Sequence, residues 1–365
     1  MNVLTPYQCQ FQPLPSEPPP PYTPSPPSYT PRASHHHNNH RHIPPTVTPH
    51  FLCSSNPPSH LSDSTIARYG VYLTTLHHSA TGTTHLYRLC PRVPTNSKPG
   101  LFAVKIISSS SPPLALPLLP KFNTLNSTHP NVLLPFLPPI IDDAGNHHLI
   151  TPYCAGGTLH NLVHTTTRLA PEEANCFFKQ LLQGVAYLHK HPPFHNPHHD
   201  PLETSLDLTP ESILLTGEGA IQIKVRLPLS SERTHPPAGR RSPYYAPEAL
   251  YSLPHESNTR AITIDLNPKA IDTWALGIIY LFMRTGHPAW SVASAERDRT
   301  YAQYLRERTQ EGGFTVIEGL GTEPCRNVIY AMLDPKPSRR LTVHQALRSE
   351  WMYGAEICDA GGMKG

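Results

Sequence analysis

Proline decides where this chain can fold. A proline fixes its own φ, has no N–H to give to a helix or a ladder, and pushes the preceding residue out of the helical region. Of 365 residues, 45 are proline, too many for a chain folded throughout. They crowd the first 60 residues beside serine and histidine, as in Pro18-Pro19-Pro20-Pro21 and Pro26-Pro27. Such a segment cannot bury enough apolar surface to offset its conformational entropy. Residues 1–60 are therefore expected to form a disordered tail, with order beginning near Thr65.

Beyond the tail the patterning changes twice. Tyr69 to Leu76 alternates like a strand, Leu86 to Leu89 continues it, and Leu101 to Ile107 is a third β-rich run, with Asn96 to Gly100 as a loop before it. Serines and prolines from Ser108 to Pro113 then break the chain. From Pro171 the period becomes helical. Pro171 suits a first helical position, and Glu172 and Glu173 suit the positive end of the helix. Phe177, Leu181, Val185 and Leu188 form a stripe along one face. Ile213 to Leu215, Gly217-Glu218-Gly219 and Ile221 to Val225 read as a hairpin. Ile271 to Arg284 is apolar almost all round, which predicts a buried helix capped by Gly286. Strands first and helices after predict an α+β chain of two lobes.

Several function classes fit poorly. A net charge of +3 with neutral histidine gives little reason to expect a nucleic-acid partner. The 24 histidines should make the surface potential depend on pH. The seven cysteines (9, 53, 90, 154, 176, 325 and 358) are scattered without a C-x-x-C pair. That pattern argues against a disulfide framework or a zinc site and suits a reducing compartment. Met1 to Gln10 lacks the basic start and apolar core of a signal peptide. The most apolar stretch, Val132 to Ile141, holds three prolines and is too short to span a bilayer. These features predict a soluble, cytoplasmic protein, peripheral to the plasma membrane only through partners.

The residues that carry chemistry lie in the folded part. Phe102-Ala103-Val104-Lys105, Asp207-Leu208-Thr209-Pro210-Glu211-Ser212-Ile213-Leu214-Leu215, Ala246-Pro247-Glu248 and Asp272-Thr273-Trp274 occur in that order. Together they resemble the lysine strand, catalytic loop, activation-segment end and central helix of the protein kinases. The resemblance covers roughly residues 65–355. It implies a small β-rich N-lobe of about 65–151 and a larger helical C-lobe of about 155–355, followed by a short tail at 356–365. It further implies that Lys105 contacts ATP phosphates and that Asp207 accepts the substrate hydroxyl proton. Glu248 is implied to pair with Arg340, and Asp272 to cap the catalytic loop. Leu149 to Leu159 resembles the hinge, with Pro152 in place of the usual acid and Tyr153 and Cys154 beside the nucleotide.

The same comparison shows what has changed. Ser205-Leu206 stands for His-Arg, Thr209 for the loop lysine, and Ser212 for the asparagine that binds Mg²⁺. Val225-Arg226-Leu227 falls where D-F-G is expected, and no Asp occurs from 208 to 264. Val225 and Ser212 thus stand where the Mg²⁺ ligands would be, and no metal site is expected. His77 to Thr84 aligns with the Gly-rich loop but keeps only Gly82. No acid lies between Lys105 and Asp142, so the helix C partner of Lys105 is missing, and Pro112 to Pro120 would shorten or distort that helix. Pro192 to Glu203 is an insertion, in which His198-His199-Asp200 is a decoy for H-R-D. These departures predict weak ATP binding and little Mg²⁺ binding.

Glu173-Ala174-Asn175-Cys176-Phe177-Phe178-Lys179-Gln180-Leu181 resembles the fungal halotolerance and nutrient-permease-reactivating Ser/Thr kinases. So do Ile271 to Gly277, Met283 to Gly286, Cys325 to Pro335 and Leu347 to Trp351. That likeness implies a protein acting on plasma-membrane ion or nutrient transporters or their regulators. The chain reads best as a pseudokinase or scaffold of this family, and second as an active ATP-dependent Ser/Thr kinase with atypical metal binding. In the tail, Pro19-Pro20-Pro21-Tyr22 and Pro26-Pro27-Ser28-Tyr29 both fit P-P-x-Y. WW domains read this pattern as a preformed polyproline II helix. The expected partner is a WW-domain ubiquitin ligase.

Overall fold

Antiparallel strand pairing organises the first part of the structure, a computed structural model. It describes residues 70–79, 82–88, 100–108, 129–135, 140–191, 205–225, 242–251 and 266–361. The tail motifs, the helix C region at 112–120, the insertion at 192–203 and Arg226-Leu227 lie outside these residues.

Strand β1 (Val71–Ser79) pairs with β2 (Gly82–Arg88), and β2 with β3 (Leu101–Ile107). Two short strands follow, β4 (Val132–Leu133) and β5 (Ile140–Ile141). Strand β6 (His147–Pro152) then completes a five-stranded sheet of order β1-β2-β3-β6-β5. Tyr87, Phe102, Val104 and Ile150 bury one face in a small core of their own, with Tyr87 and Phe102 stacked at 5.9 Å. The β1–β2 pair extends beyond the apolar alternation, which ends at Leu76. His77, His78 and Ser79 continue β1 opposite Thr84, Thr83 and Gly82. Ladder pairing and polar side-chain bonds, such as Ser79 Oγ to the Gly82 carbonyl, sustain this exposed hairpin end, so its polar residues gave no periodic signal.

A second sheet has the order β4-β9-β8-β7. It combines β7 (Gly157–Thr158), β8 (Ile213–Leu215) and β9 (Ile221–Lys224) with β4, which is parallel to β9. Residues 153–156 carry the chain from the first sheet to the second.

Helices build the rest: α1 (Leu159–Thr166), α2 (Pro171–Lys190), α3 (Pro247–Tyr251) and α4 (Pro268–Thr285). Then come α5 (Arg299–Glu307), α6 (Thr315–Glu318), α7 (Glu323–Met332), α8 (Val343–Leu347) and α9 (Glu350–Tyr353). In α2 the stripe of Phe177, Leu181, Val185 and Leu188 is buried. Helix α4 starts where the Asn267 carboxamide oxygen accepts the N–H groups of Lys269 and Ala270. It stops at Gly286, in the left-handed conformation with φ 82°. A Cβ there would also collide with the Thr167 carbonyl oxygen, so this cap needs glycine twice over. Trp274, Leu276, Ile278 and Ile279 of α4 are wholly buried, and α4 forms the centre of the large core shared with α2 and α7. Among the described residues, no helix is long and apolar enough to cross a membrane.

Candidate functional site

The loop before β8 is held from behind by a buried carboxylate. Asp272 sits in the first part of α4, 1% exposed. Its Oδ1 accepts the Leu206 N–H at 2.8 Å, and its Oδ2 lies 3.0 Å from His189 Nε2 at the end of α2. Burial pushes the Asp272 carboxyl above the ordinary carboxylate range, against the hydrogen bonds from His189 and Leu206. Leu206 and Leu208 are both buried, so the residue between them has its backbone fixed on either side. That residue, Asp207, has φ 49°, a left-handed conformation uncommon outside glycine. The anchor and the flanking leucines hold it there.

Ser212 closes the same loop. Its hydroxyl donates to the Thr209 carbonyl at 2.9 Å and accepts the Thr209 N–H at 3.0 Å. The Ser212 carbonyl accepts from Lys224 N–H at 3.0 Å, across the β8–β9 hairpin. Val225, next along, is half-buried and packs against the large core. The hairpin therefore brings Ser212 and Val225 to one end, where a hydroxyl committed to its own loop stands near a hydrocarbon side chain.

Residues 153–156 are stitched to this hairpin. Gly156 N–H donates to the Leu215 carbonyl at 2.9 Å. A Cβ on Gly156 would come within 2.5 Å of the Thr216 carbonyl oxygen, so the close approach requires glycine. Tyr153 is half-exposed. Cys154 is buried, and that burial pushes its thiol up to about 11. Lys105 lies in β3 between Thr84 of β2 and Leu149 of β6. Gly82 starts β2 at φ 148°, and a Cβ there would collide with the Ile106 carbonyl oxygen. Opposite it, Ser79 Oγ donates to the Gly82 carbonyl at 2.8 Å. Residues 77 and 79 thus sit on one strand of a hairpin and Gly82 on the other.

Farther from the loop, Arg340 and Glu248 form a two-pronged ion pair. Arg340 Nη1 donates to Oε1 at 2.7 Å and Nη2 to Oε2 at 3.1 Å. The Arg340 side chain is 0% exposed and that of Glu248 6%. Arg340 also donates to the carbonyls of Ala270 and Asp334, and its guanidinium lies 5.0 Å from the Trp274 ring centroid. This one side chain ties α3 to the start of α4 and to the turn after α7.

Two residues of this framework were not singled out from sequence. His189 falls one turn beyond Leu181 and Val185, a polar residue on an apolar face, and that position was the available signal. Gln180, wholly buried, lies one turn from Cys176 on one side and Gly184 on the other. Its Oε1 accepts from Ile221 N–H at 2.9 Å and from Asn131 Nδ2 at 3.1 Å, joining α2 to β9 and to the segment before β4.

The arrangement of a β-rich lobe, a stitched hinge and a loop fixed from a buried helix has known counterparts. The protein kinase domain family matches residues 121–352. The chain belongs to that family. It is similar to the serine/threonine-protein kinase hal4 of Schizosaccharomyces pombe, 35% identical over 326 residues, covering 85% of this chain and 47% of that protein. It is also similar to the serine/threonine-protein kinase HAL4/SAT4 of Saccharomyces cerevisiae, 34% identical over 284 residues, covering 75% of this chain and 45% of that protein. The chain spans about half the length of these two relatives. Among solved structures, Rad53 residues 1–466 in complex with AMP-PNP matches with a TM-score of 0.55 at 20% identity, covering 79% of this chain and 66% of that one. At that identity the likeness shows the kinase fold.

Proposed function

We propose that this kinase-family chain acts as a pseudokinase, a binding or scaffold module, in the regulation of plasma-membrane ion or nutrient transport. The observation that carries the reading is Ser212. Its hydroxyl is satisfied twice by Thr209 within its own loop. A hard divalent cation takes oxygen ligands, with carboxylates foremost. Ser212 would have to surrender its loop bonds to become one, and Val225 offers hydrocarbon. These residues do not fit Mg²⁺, and no phosphoryl-transfer step is routed through such an ion. Nucleotide binding in this reading is weak and metal-independent, at Lys105, Gly82, Tyr153 and Cys154. The transport role rests on the family likeness of the α2, α4 and α7 sequences, and recruitment of a WW-domain ubiquitin ligase rests on the two P-P-x-Y motifs.

A second reading, an active Ser/Thr kinase with atypical metal binding, is favoured by Asp207. A carboxylate presented by a rigid loop is what a base that orients a hydroxyl requires. Thermal melting of the full chain with ATP, with and without Mg²⁺, separates the two. Ligand at about 100 times its dissociation constant stabilises by about 2.7 kcal/mol, a visible shift. The pseudokinase reading expects no Mg²⁺-dependent rise. A Mg²⁺-dependent rise, with phosphotransfer abolished by Asp207→Ala, would overturn it.

A further inference from the structure

We propose that Cys176 and Cys358 form an oxidisable dithiol, a site where a hydroperoxide cross-links the C-terminal segment to helix α2. The two sulfurs are brought together from positions 182 residues apart in sequence. Cys358 N–H donates to Cys176 Sγ at 3.3 Å. Gln180 Nε2 lies between them, 3.4 Å from Cys176 Sγ and 3.8 Å from Cys358 Sγ. The segment bearing Cys358 is docked at its other end, where Lys179 Nζ donates to the Ala355 carbonyl at 2.8 Å. The neighbouring Gly361 N–H donates to the Cys358 carbonyl at 2.9 Å.

The pair is asymmetric in access. Cys176 is buried, whereas Cys358 is half-exposed and reachable by a small oxidant. The Cys358 thiol is drawn below its ordinary value, first by its coupling to Cys176, against its burial. The Cys176 thiol is pushed up by the same coupling and by burial. Access therefore makes Cys358 the thiol a small oxidant meets first, with Cys176 behind it as the resolving partner.

The chemistry balances with a hydroperoxide as oxidant. The Cys358 thiolate attacks the terminal peroxide oxygen, the O–O bond breaks, and the leaving alkoxide or hydroxide takes a proton from solvent. Cys358 becomes a sulfenic acid. Cys176 sulfur then attacks that sulfur, the S–S bond forms, and the S–O bond breaks. The departing hydroxide takes the Cys176 proton and leaves as water. Two electrons pass from the dithiol to the peroxide. Forming the bond brings the two sulfurs to about 2.05 Å. A dithiol reductant reverses the step.

The test is peptide mapping of the full chain after limiting hydrogen peroxide, with free thiols blocked and reducing agent omitted. The expected result is a linked peptide pair carrying Cys176 and Cys358, lost on reduction and absent from C358S. In the unoxidised chain at pH 7, half-exposed Cys358 should be alkylated faster than buried Cys325. Cys358 oxidised without a link to Cys176, Cys358 linked to another cysteine, or Cys358 left unoxidised while other thiols react would each overturn the proposal. Mapping the natural chain needs no variant to fold, and C358S changes the half-exposed member only.

Discussion

Replacing Arg340 with Met should be among the most damaging single changes in the molecule. The substitution keeps an apolar stem against Trp274 but deletes the guanidinium. Glu248 Oε1 and Oε2 each lose a bond from the guanidinium, and the carbonyls of Ala270 and Asp334 each lose a donor. Glu248 remains buried without its guanidinium partner. Breaking a buried pair in this way costs about 3–5 kcal/mol. An exposed pair with the same distances would contribute about 0–1 kcal/mol. For a domain this large, each kcal/mol shifts the melting temperature by roughly 2–4 °C, so R340M should melt roughly 10 °C lower. Urea unfolding followed by circular dichroism measures the cost directly. The double variant R340M with E248L should recover much of the loss, because no unpaired charge is then left behind. A single-variant cost below about 1 kcal/mol, or a double variant as unstable as the two losses added, would refute the argument.

Other outcomes follow from particular contacts. Gly82→Ala places a Cβ against the Ile106 carbonyl at a backbone angle suited to glycine, and should cost about 1–3 kcal/mol by urea unfolding; an unchanged midpoint would show that the hairpin relaxes freely. Asp298 caps α5 by accepting the N–H groups of Thr300 and Tyr301, and it also binds Ser291. Burial raises its carboxyl pKa, but the bonds from Ser291, Tyr301 and Thr300 outweigh that and leave it lowered. Its contribution is therefore present above the unfolded value of about 3.9 and is lost as pH falls through the lower folded value. Asp298→Ala should cost about 1 kcal/mol at neutral pH and flatten the acid limb of the stability curve below about pH 4; an unaltered limb would contradict the assignment. For the tail, Tyr22→Ala with Tyr29→Ala should abolish capture by a tandem WW-domain protein, and capture at unchanged strength would remove that partner from consideration.

How much was legible in advance depended on whether a residue's role was local. Helix α4 could be read from its unbroken apolar run and Gly286, and α2 from Pro171 and the Phe177 to Leu188 stripe, because local pattern and tertiary burial agree there. The end of β1 was not legible, since His77, His78 and Ser79 are held by ladder bonds that leave no mark in hydropathy. Within the site, motif spacing marked Asp207, Ser212, Asp272, Glu248 and Arg340 as positions worth locating. The spacing could not reveal that Ser212 spends its hydroxyl on Thr209. Nor could it reveal that Asp272 shares its carboxylate with His189, 83 residues away. Gln180 was hidden for the same reason: three of its partners come from other parts of the chain.

The anchoring of the Leu206 N–H on Asp272 has a further consequence. The loop takes its shape from a helix behind it, through the Leu206 N–H held by Asp272. Substitutions in front of the loop, at positions the Asp272 anchor does not touch, can therefore leave its frame in place. Evolution can retune the working face of such a scaffold while inheriting its frame unchanged.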